Sequence, residues 1–335
     1  MKHMKEYPAV AAPAGAGLTG SGSFLRAAQT FLVAAAVCLA GTLFAGTVAI
    51  PNASFESQPA PNPYVPPYVE LRVDSWQKTP TPFWWNETAY GPWDQLIGLF
   101  ANASQGDPSR IDNCDGNQAI YLFANPQVGV FQDFDSTDWS STVPSHAFNA
   151  SFEAGKSYQL TVGVTVSYYR PPTNGATLEL SLYYRDAASN QVTVAATTIT
   201  NTEAAFSNVT HLVDFKVNVP TVKSSDAWAG RHIGVAIMSS VSFDLAGGVW
   251  DVDNVRLTST SAPILTGSTA TNGQFIFTLQ SEPGLGVEIL ASTNPASKAA
   301  DWASLRTITN YTGSYLFSEP ATNRPGRFYR ARQLP

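Results

Sequence analysis

Six aromatic residues, Tyr64, Tyr68, Trp84, Trp85, Tyr90 and Trp93, crowd one Pro-rich stretch of the 335-residue chain. Rings on stiff loops are what the apolar face of a sugar stacks upon, and Pro80 and Pro82 stiffen the approach to Phe83-Trp84-Trp85. The alternative use of such rings is to fill a core beneath a long loop. Two further groups, Tyr168-Tyr169-Arg170 and Tyr183-Tyr184-Arg185, sit at strand ends. Neighbours on a strand point to opposite faces, so at most one ring of each pair faces outward, where the Arg could donate to sugar hydroxyls or cap the strand.

Catalytic patterns are sparse. His146, His211 and His232 are far apart in sequence, with no H-E-x-x-H and no paired cysteines, so metal catalysis has no motif to rest on. No G-x-S-x-G turn follows the first 45 residues. Glycoside hydrolysis needs two carboxylates around the scissile bond. Asp251 and Asp253, two apart and therefore on one strand face, form the tempting pair, but an E-x-D-x-x-E arrangement is absent. Asp107, Asp112, Asn113 and Asp115 make an acidic stretch in which Ile111 stands where an EF-hand loop needs its first Asp. The expectation is a protein without catalytic activity, with a glycoside hydrolase as the lesser reading.

The elements that must carry these residues are strands. Tyr158, Leu160, Val162, Val164, Val166 and Tyr168 alternate with Gln159, Thr161, Gly163, Thr165 and Ser167, the pattern of a long half-buried strand. The same period runs through Leu178 to Tyr184, Val213 to Val219 and Ile233 to Ile237. Pro171, Pro172, Asn174 and Gly175 break the chain before the second of these, and Ser189-Asn190 predicts a hairpin after it. Earlier strands are predicted at 69–76, 118–123 and 128–134, and Trp76 and Trp250 read as core. Antiparallel strands with regular turns predict an all-β sandwich or jelly roll over 48–259, since one apolar sheet face needs a second sheet to cover it. Thr258-Ser259-Thr260-Ser261-Ala262-Pro263 has linker composition, and short strands beyond it predict a smaller β domain over 263–335.

Composition agrees with an exported β protein: 44% of residues are hydrophobic, 13% charged, and Gly (24) and Pro (23) supply turns. Lys2, Lys5 and Arg26 precede an apolar run, Phe31 to Ala40, that predicts a signal peptide over 1–45 cleaved after Ala45. A membrane anchor would need about 20 apolar residues. Removing Lys2, Lys5, Arg26 and Glu6 turns the net charge of −6 into −8, which excludes nucleic acid and anionic lipid and suits a neutral or cationic ligand. Cys38 would leave with the signal, so Cys114 has no intramolecular disulfide partner.

Two segments carry a family resemblance. Asn52-Ala53-Ser54-Phe55-Glu56 and Trp250-Asp251-Val252-Asp253-Asn254-Val255-Arg256-Leu257 resemble the opening and closing strands of galactose-binding-like jelly rolls, the fold of many carbohydrate-binding modules. The resemblance implies that the first and last strands lie side by side and that Glu56 and Asp253 hold a structural calcium. The bland readings are a solvated strand end for Glu56 and a turn for Asp253. Phe275-Ile276-Phe277, Pro283-Gly284, Ala291-Ser292-Thr293-Asn294, Trp302 and Arg327-Phe328-Tyr329-Arg330 resemble a small terminal domain of secreted proteins from Verrucomicrobia-like bacteria. The resulting expectation is a secreted or cell-surface carbohydrate-binding or adhesion protein with a glycan partner. The alternative is an envelope-associated structural protein that mediates protein contacts.

Overall fold

Alternation along residues 156–166 produces the strand it predicts, with Leu160, Val162 and Val164 fully buried on one face. The computed structural model describes residues 46–137, 141–321 and 326–334, so the signal peptide expected over 1–45 lies outside the described residues. The strands are β1 (Gly46–Val48), β2 (Val69–Glu70), β3 (Gln77–Lys78), β4 (Ile97–Ala101), β5 (Gln118–Phe123) and β6 (Gly129–Gln132). They continue as β7 (Lys156–Val166), β8 (Thr177–Arg185), β9 (Gln191–Thr200), β10 (Val213–Val219), β11 (Gly234–Ser239) and β12 (Val249–Ser261). One sheet runs β10-β7-β12-β5-β4-β2 with β1 beside β12; the other runs β3-β6-β11-β8-β9. All pairings are antiparallel, and the inner faces close on one core that includes Phe55, Trp76, Leu122, Leu180, Val235 and Trp250.

The opening and closing segments meet as the jelly-roll resemblance implies. Val48 pairs with Leu257 across β1 and β12, and Val255 N donates to Ala53 O at 3.0 Å. β12 is the central strand. Trp250 and Val252 point into the core, and a bulge between Asp253 and Arg256, with Asn254 at φ 57°, shifts the phase so that Val255 and Leu257 are buried next. Asp251 and Asp253 are thereby kept on the outer face.

Two expectations change. The strand expected over 69–76 shrinks to Val69–Glu70, because Arg72 forks Asp74 through two hydrogen bonds of 2.6 Å and Ser75 takes φ 68°, which turns the chain. Residues 258–261, of linker composition, are strand: they pair with Gln159 through Lys156 of β7, and a Thr- and Ser-rich segment is well suited to that ladder. Beyond them lie β13 (Ile264–Thr271), β14 (Gln274–Gln280), β15 (Leu285–Ser292), β16 (Ala303–Asn310), β17 (Ser314–Pro320) and β18 (Phe328–Gln333). These form two three-stranded sheets, β13-β14-β17 and β16-β15-β18, around Phe277, Leu279, Val287, Ile289 and Phe317.

Gly98 in β4 lies under the ring of Tyr121 in β5. A Cβ there would fall 2.6 Å from Glu70 O and 2.8 Å from Tyr121 Cε1, distances that real atoms do not tolerate. Gly98→Ala should therefore cost about 1–3 kcal/mol in urea denaturation. Unchanged stability would mean that Tyr121 does not rest on this position.

Candidate functional site

Over β4 and β5 the outer face of the first sheet is apolar where a solvated face would be polar. Asp251 stands opposite Tyr121 of β5 and Thr165 of β7. Around it Tyr64, Tyr68, Phe100, Tyr121, Tyr168 and Tyr169 line a cleft of about 270 Å³ that reaches the Asp251 side chain. Tyr64 is fixed at the rim, its hydroxyl donating to Asp107 Oδ2 at 3.1 Å and accepting from Ser104 N at 2.9 Å. Tyr121 donates to Gln95 O at 3.0 Å, so its hydroxyl is engaged, and burial raises its pKa to about 12. Tyr168 and Tyr169 meet edge to face at 5.1 Å.

Asp251 is 7% exposed and has no hydrogen-bond partner among the described residues. Burial disfavours its charged form and pushes its pKa up to about 8. At neutral pH it is chiefly a carboxylic acid, with a proton to give and no protein acceptor to hold it. The alternation had marked Asp251 as one of a pair for hydrolysis; the structure instead makes it a lone acid among rings. Phe100 and Tyr121 carried no signal in the sequence beyond strand periodicity.

The six expected ligand aromatics do not form one surface. Tyr64 and Tyr68 belong to the Asp251 cleft, whereas Trp84, Trp85 and Tyr90 line a second one of about 690 Å³ with Phe243 and Arg170. A single helical turn, α1 (Glu87–Tyr90), capped by Asn86 Oδ1 accepting from Thr88 N, presents Tyr90, while Trp85 Nε1 donates to Gly91 O. Trp93 is only 4% exposed; its indole donates to Thr79 O at 2.7 Å beneath the edges of Trp84 and Trp85. It offers no face to a ligand and serves as the base of the cluster. Tyr183 is likewise buried, donating to Asp133 Oδ2 at 2.6 Å. His146 and His232, remote in sequence, stack at 4.1 and 4.0 Å on the ring of Phe134, which stands between them and keeps them from sharing a metal.

Glu56 and Asp253 converge on the turn at 114–118. Glu56 Oε1 accepts from Asn117 N and Gln118 N at 2.8 and 2.9 Å, over Gly116, whose φ of 99° and lack of a Cβ make room for it. Asp253 Oδ2 accepts from Asp115 N at 2.6 Å, while its Oδ1 is buried and without a partner among the described residues. Burial raises the Asp253 pKa to about 7 and pushes the nearby Cys114 thiol up, leaving that thiol unreactive. Among the described residues no group of three or more His, Cys, Asp or Glu side chains is placed to hold a metal. The orphaned oxygen of Asp253 does fit a hard cation that draws its remaining ligands from carbonyl oxygens.

No curated protein matches the chain. Among solved structures, a Stig cyclase of Fischerella sp. TAU in complex with (3Z)-3-(1-methyl-2-pyrrolidinylidene)-3H-indole is 17% identical, with a TM-score of 0.43, over 65% of this chain and 99% of that one. A cyclase of the same organism with 4-(1H-indol-3-yl)butan-2-one is 16% identical, TM-score 0.43, over 64% and 98%. A xylan-binding domain from Paenibacillus barcinonensis is 9% identical, TM-score 0.30, over 55% and 85%. A family model described as HpiC1-like, HpiC1 cyclase, matches residues 46–258. That match overturns the expectation of a protein without catalytic activity, which rested on missing hydrolase and metal motifs and did not consider a cyclase. Through its β-sandwich, the chain belongs to the HpiC1-like cyclase family.

Proposed function

We propose that the protein is a cyclase that works by proton donation from Asp251 inside the aromatic cleft. The observation that carries this reading is a buried, partnerless carboxyl whose pKa lies near 8, ringed by six aromatic side chains. Asp251 gives its proton to a basic atom or alkene carbon of a π-rich substrate. Its O–H bond breaks as the new bond to hydrogen forms, and positive charge develops on the substrate. The π electrons of a neighbouring double bond then close a ring, and the Asp251 carboxylate recovers a proton from the cyclised cation. The product is an isomer of the substrate, and no co-reactant is consumed. Ring faces of the cleft stabilise the cation, and exclusion of water keeps it from being trapped.

Export, a bound calcium ion and a glycan ligand rest on separate observations. Export rests on the basic and apolar pattern of residues 1–45. Calcium rests on Glu56 and Asp253 at the 114–118 turn, where it would supply charge to hold the β12 bulge in place. A glycan is the competing occupant of the Trp84 and Trp85 cleft, favoured by the tryptophans and by the β-sandwich.

Asp251→Asn should lower turnover by about 10²- to 10⁴-fold while the neutral probe 4-(1H-indol-3-yl)butan-2-one binds variant and wild type alike. Wild-type activity should fall as pH rises through about 8, where Asp251 loses its proton. An Asn variant of undiminished turnover would remove Asp251 from the reaction. Stability supplies an independent reading. The folded carboxyl keeps its proton to about pH 8, whereas an unfolded Asp releases its own near pH 4. Folding therefore takes up a proton between these values, and wild-type stability should decline as pH rises across them. Urea denaturation should show Asp251→Asn gaining on wild type by on the order of a few kcal/mol from pH 5 to pH 8. For the cation, millimolar calcium against a chelator should raise the melting temperature by at least about 2 °C in wild type and leave Asp253→Asn unmoved.

A further inference from the structure

The Asp251 cleft does not end at its own walls. Tyr121 also lines an adjoining trough of about 530 Å³, and that trough shares Gln95 and Phe123 with the Trp84 and Trp85 cleft. Phe123 follows Tyr121 by two residues on the outer face of β5, opposite Val249, as Tyr121 lies opposite Asp251. The three hollows thus follow one row of outward side chains across the sheet.

Arg170 stands at the far end of this row. Its backbone is tied to β12, with Val249 N donating to Arg170 O at 2.8 Å, and its guanidinium lies 5.1 Å above the centre of the Phe123 ring. It forms no ion pair with a described residue and is the sole charged side chain lining the Trp84 and Trp85 cleft, in a chain whose net charge is negative. Val249 and Asp251 are two positions apart on β12, so the guanidinium lies on the order of 10 Å from the acid.

We propose that the row is one extended site and that Arg170 binds a carboxylate at the distal end of the substrate, whose π-rich part reaches Asp251. This rests on the reading of Asp251 as the acid. A planar guanidinium matches a carboxylate through two parallel hydrogen bonds, and its seat on Phe123 holds the fork at the cleft wall. Tyr121, Phe123 and Val249, which line the connecting trough, then flank the apolar chain between the two ends. The substrate class is an amphiphilic acid of about 10 Å, with an aromatic or alkene-bearing head and a carboxylate tail.

The test is calorimetric titration of the full chain with two matched probes, 4-(1H-indol-3-yl)butanoate and the neutral 4-(1H-indol-3-yl)butan-2-one. The acid should bind about tenfold more tightly than the ketone, and the preference should shrink with added salt. Arg170→Gln, with an unchanged melting temperature, should abolish the preference, and Arg170→Lys should keep part of it. Equal binding of acid and ketone by wild type, or a preference that survives in Arg170→Gln, overturns the proposal. Displacement of the acid by soluble xylan with no salt dependence would assign the cleft to a glycan and overturn it as well. Asp251→Asn separates the two readings: it should keep the preference, and turnover persisting in that variant would defeat the acid reading while leaving the Arg170 result intact.

Discussion

The place of β12 at the centre of its sheet is the constraint from which the site follows. Bonded to β5 on one side and β7 on the other, it has no freedom to slide, because a one-residue slip would expose Trp250 and Val252 and drive two carboxyl groups into the core. Register therefore fixes Asp251 and Asp253 on the outer face. The bulge after Asp253 then returns Val255 and Leu257 to the interior and lets the strand continue to Ser261.

What the outer face meets gives it chemical meaning. An antiparallel sheet commonly leaves one face to water. Here Phe100, Tyr121, Phe123 and Val249 make the part over β4 and β5 apolar, and loops bearing Tyr64, Tyr68, Tyr168 and Tyr169 border it. Asp251 is consequently desolvated without a compensating hydrogen bond, a destabilising arrangement that a fold retains where reactivity depends on it. Asp253, two residues along the same face, is handled differently: one oxygen is bonded to the 114–118 turn, so it serves local architecture at the bulge of β12. The same spacing that suggests a hydrolytic pair thus yields two carboxyls with separate tasks.

The repeated alternation made β7, β8, β10 and β11 legible, since buried and exposed side chains must follow the pleat. Period alone carries the strand at Val69–Glu70 too far, because it does not reveal that Arg72 grips Asp74 and bends the chain. The Thr- and Ser-rich end of β12 was read as linker because composition does not show that Lys156–Gln159 waits alongside with unpaired backbone groups. The aromatic residues at 84–93 were visible as a cluster, but whether each ring shows a face or only an edge depends on its neighbours: Trp93 lies beneath Trp84 and Trp85, and Tyr90 remains open on α1.

By itself the sequence determined the all-β class and the sharing of one strand face by Asp251 and Asp253, because those depend on local period; the pairing of the opening and closing segments was implied by the jelly-roll resemblance. The tertiary structure alone decided that Tyr64, Phe100, Tyr121 and Tyr168 gather around Asp251, that Arg170 stands over Phe123, and that the acid keeps its proton at neutral pH. The reason is physical: protonation state follows from solvent exclusion and neighbouring groups, and those neighbours come from four distant parts of the chain that only the register of the sheet brings together.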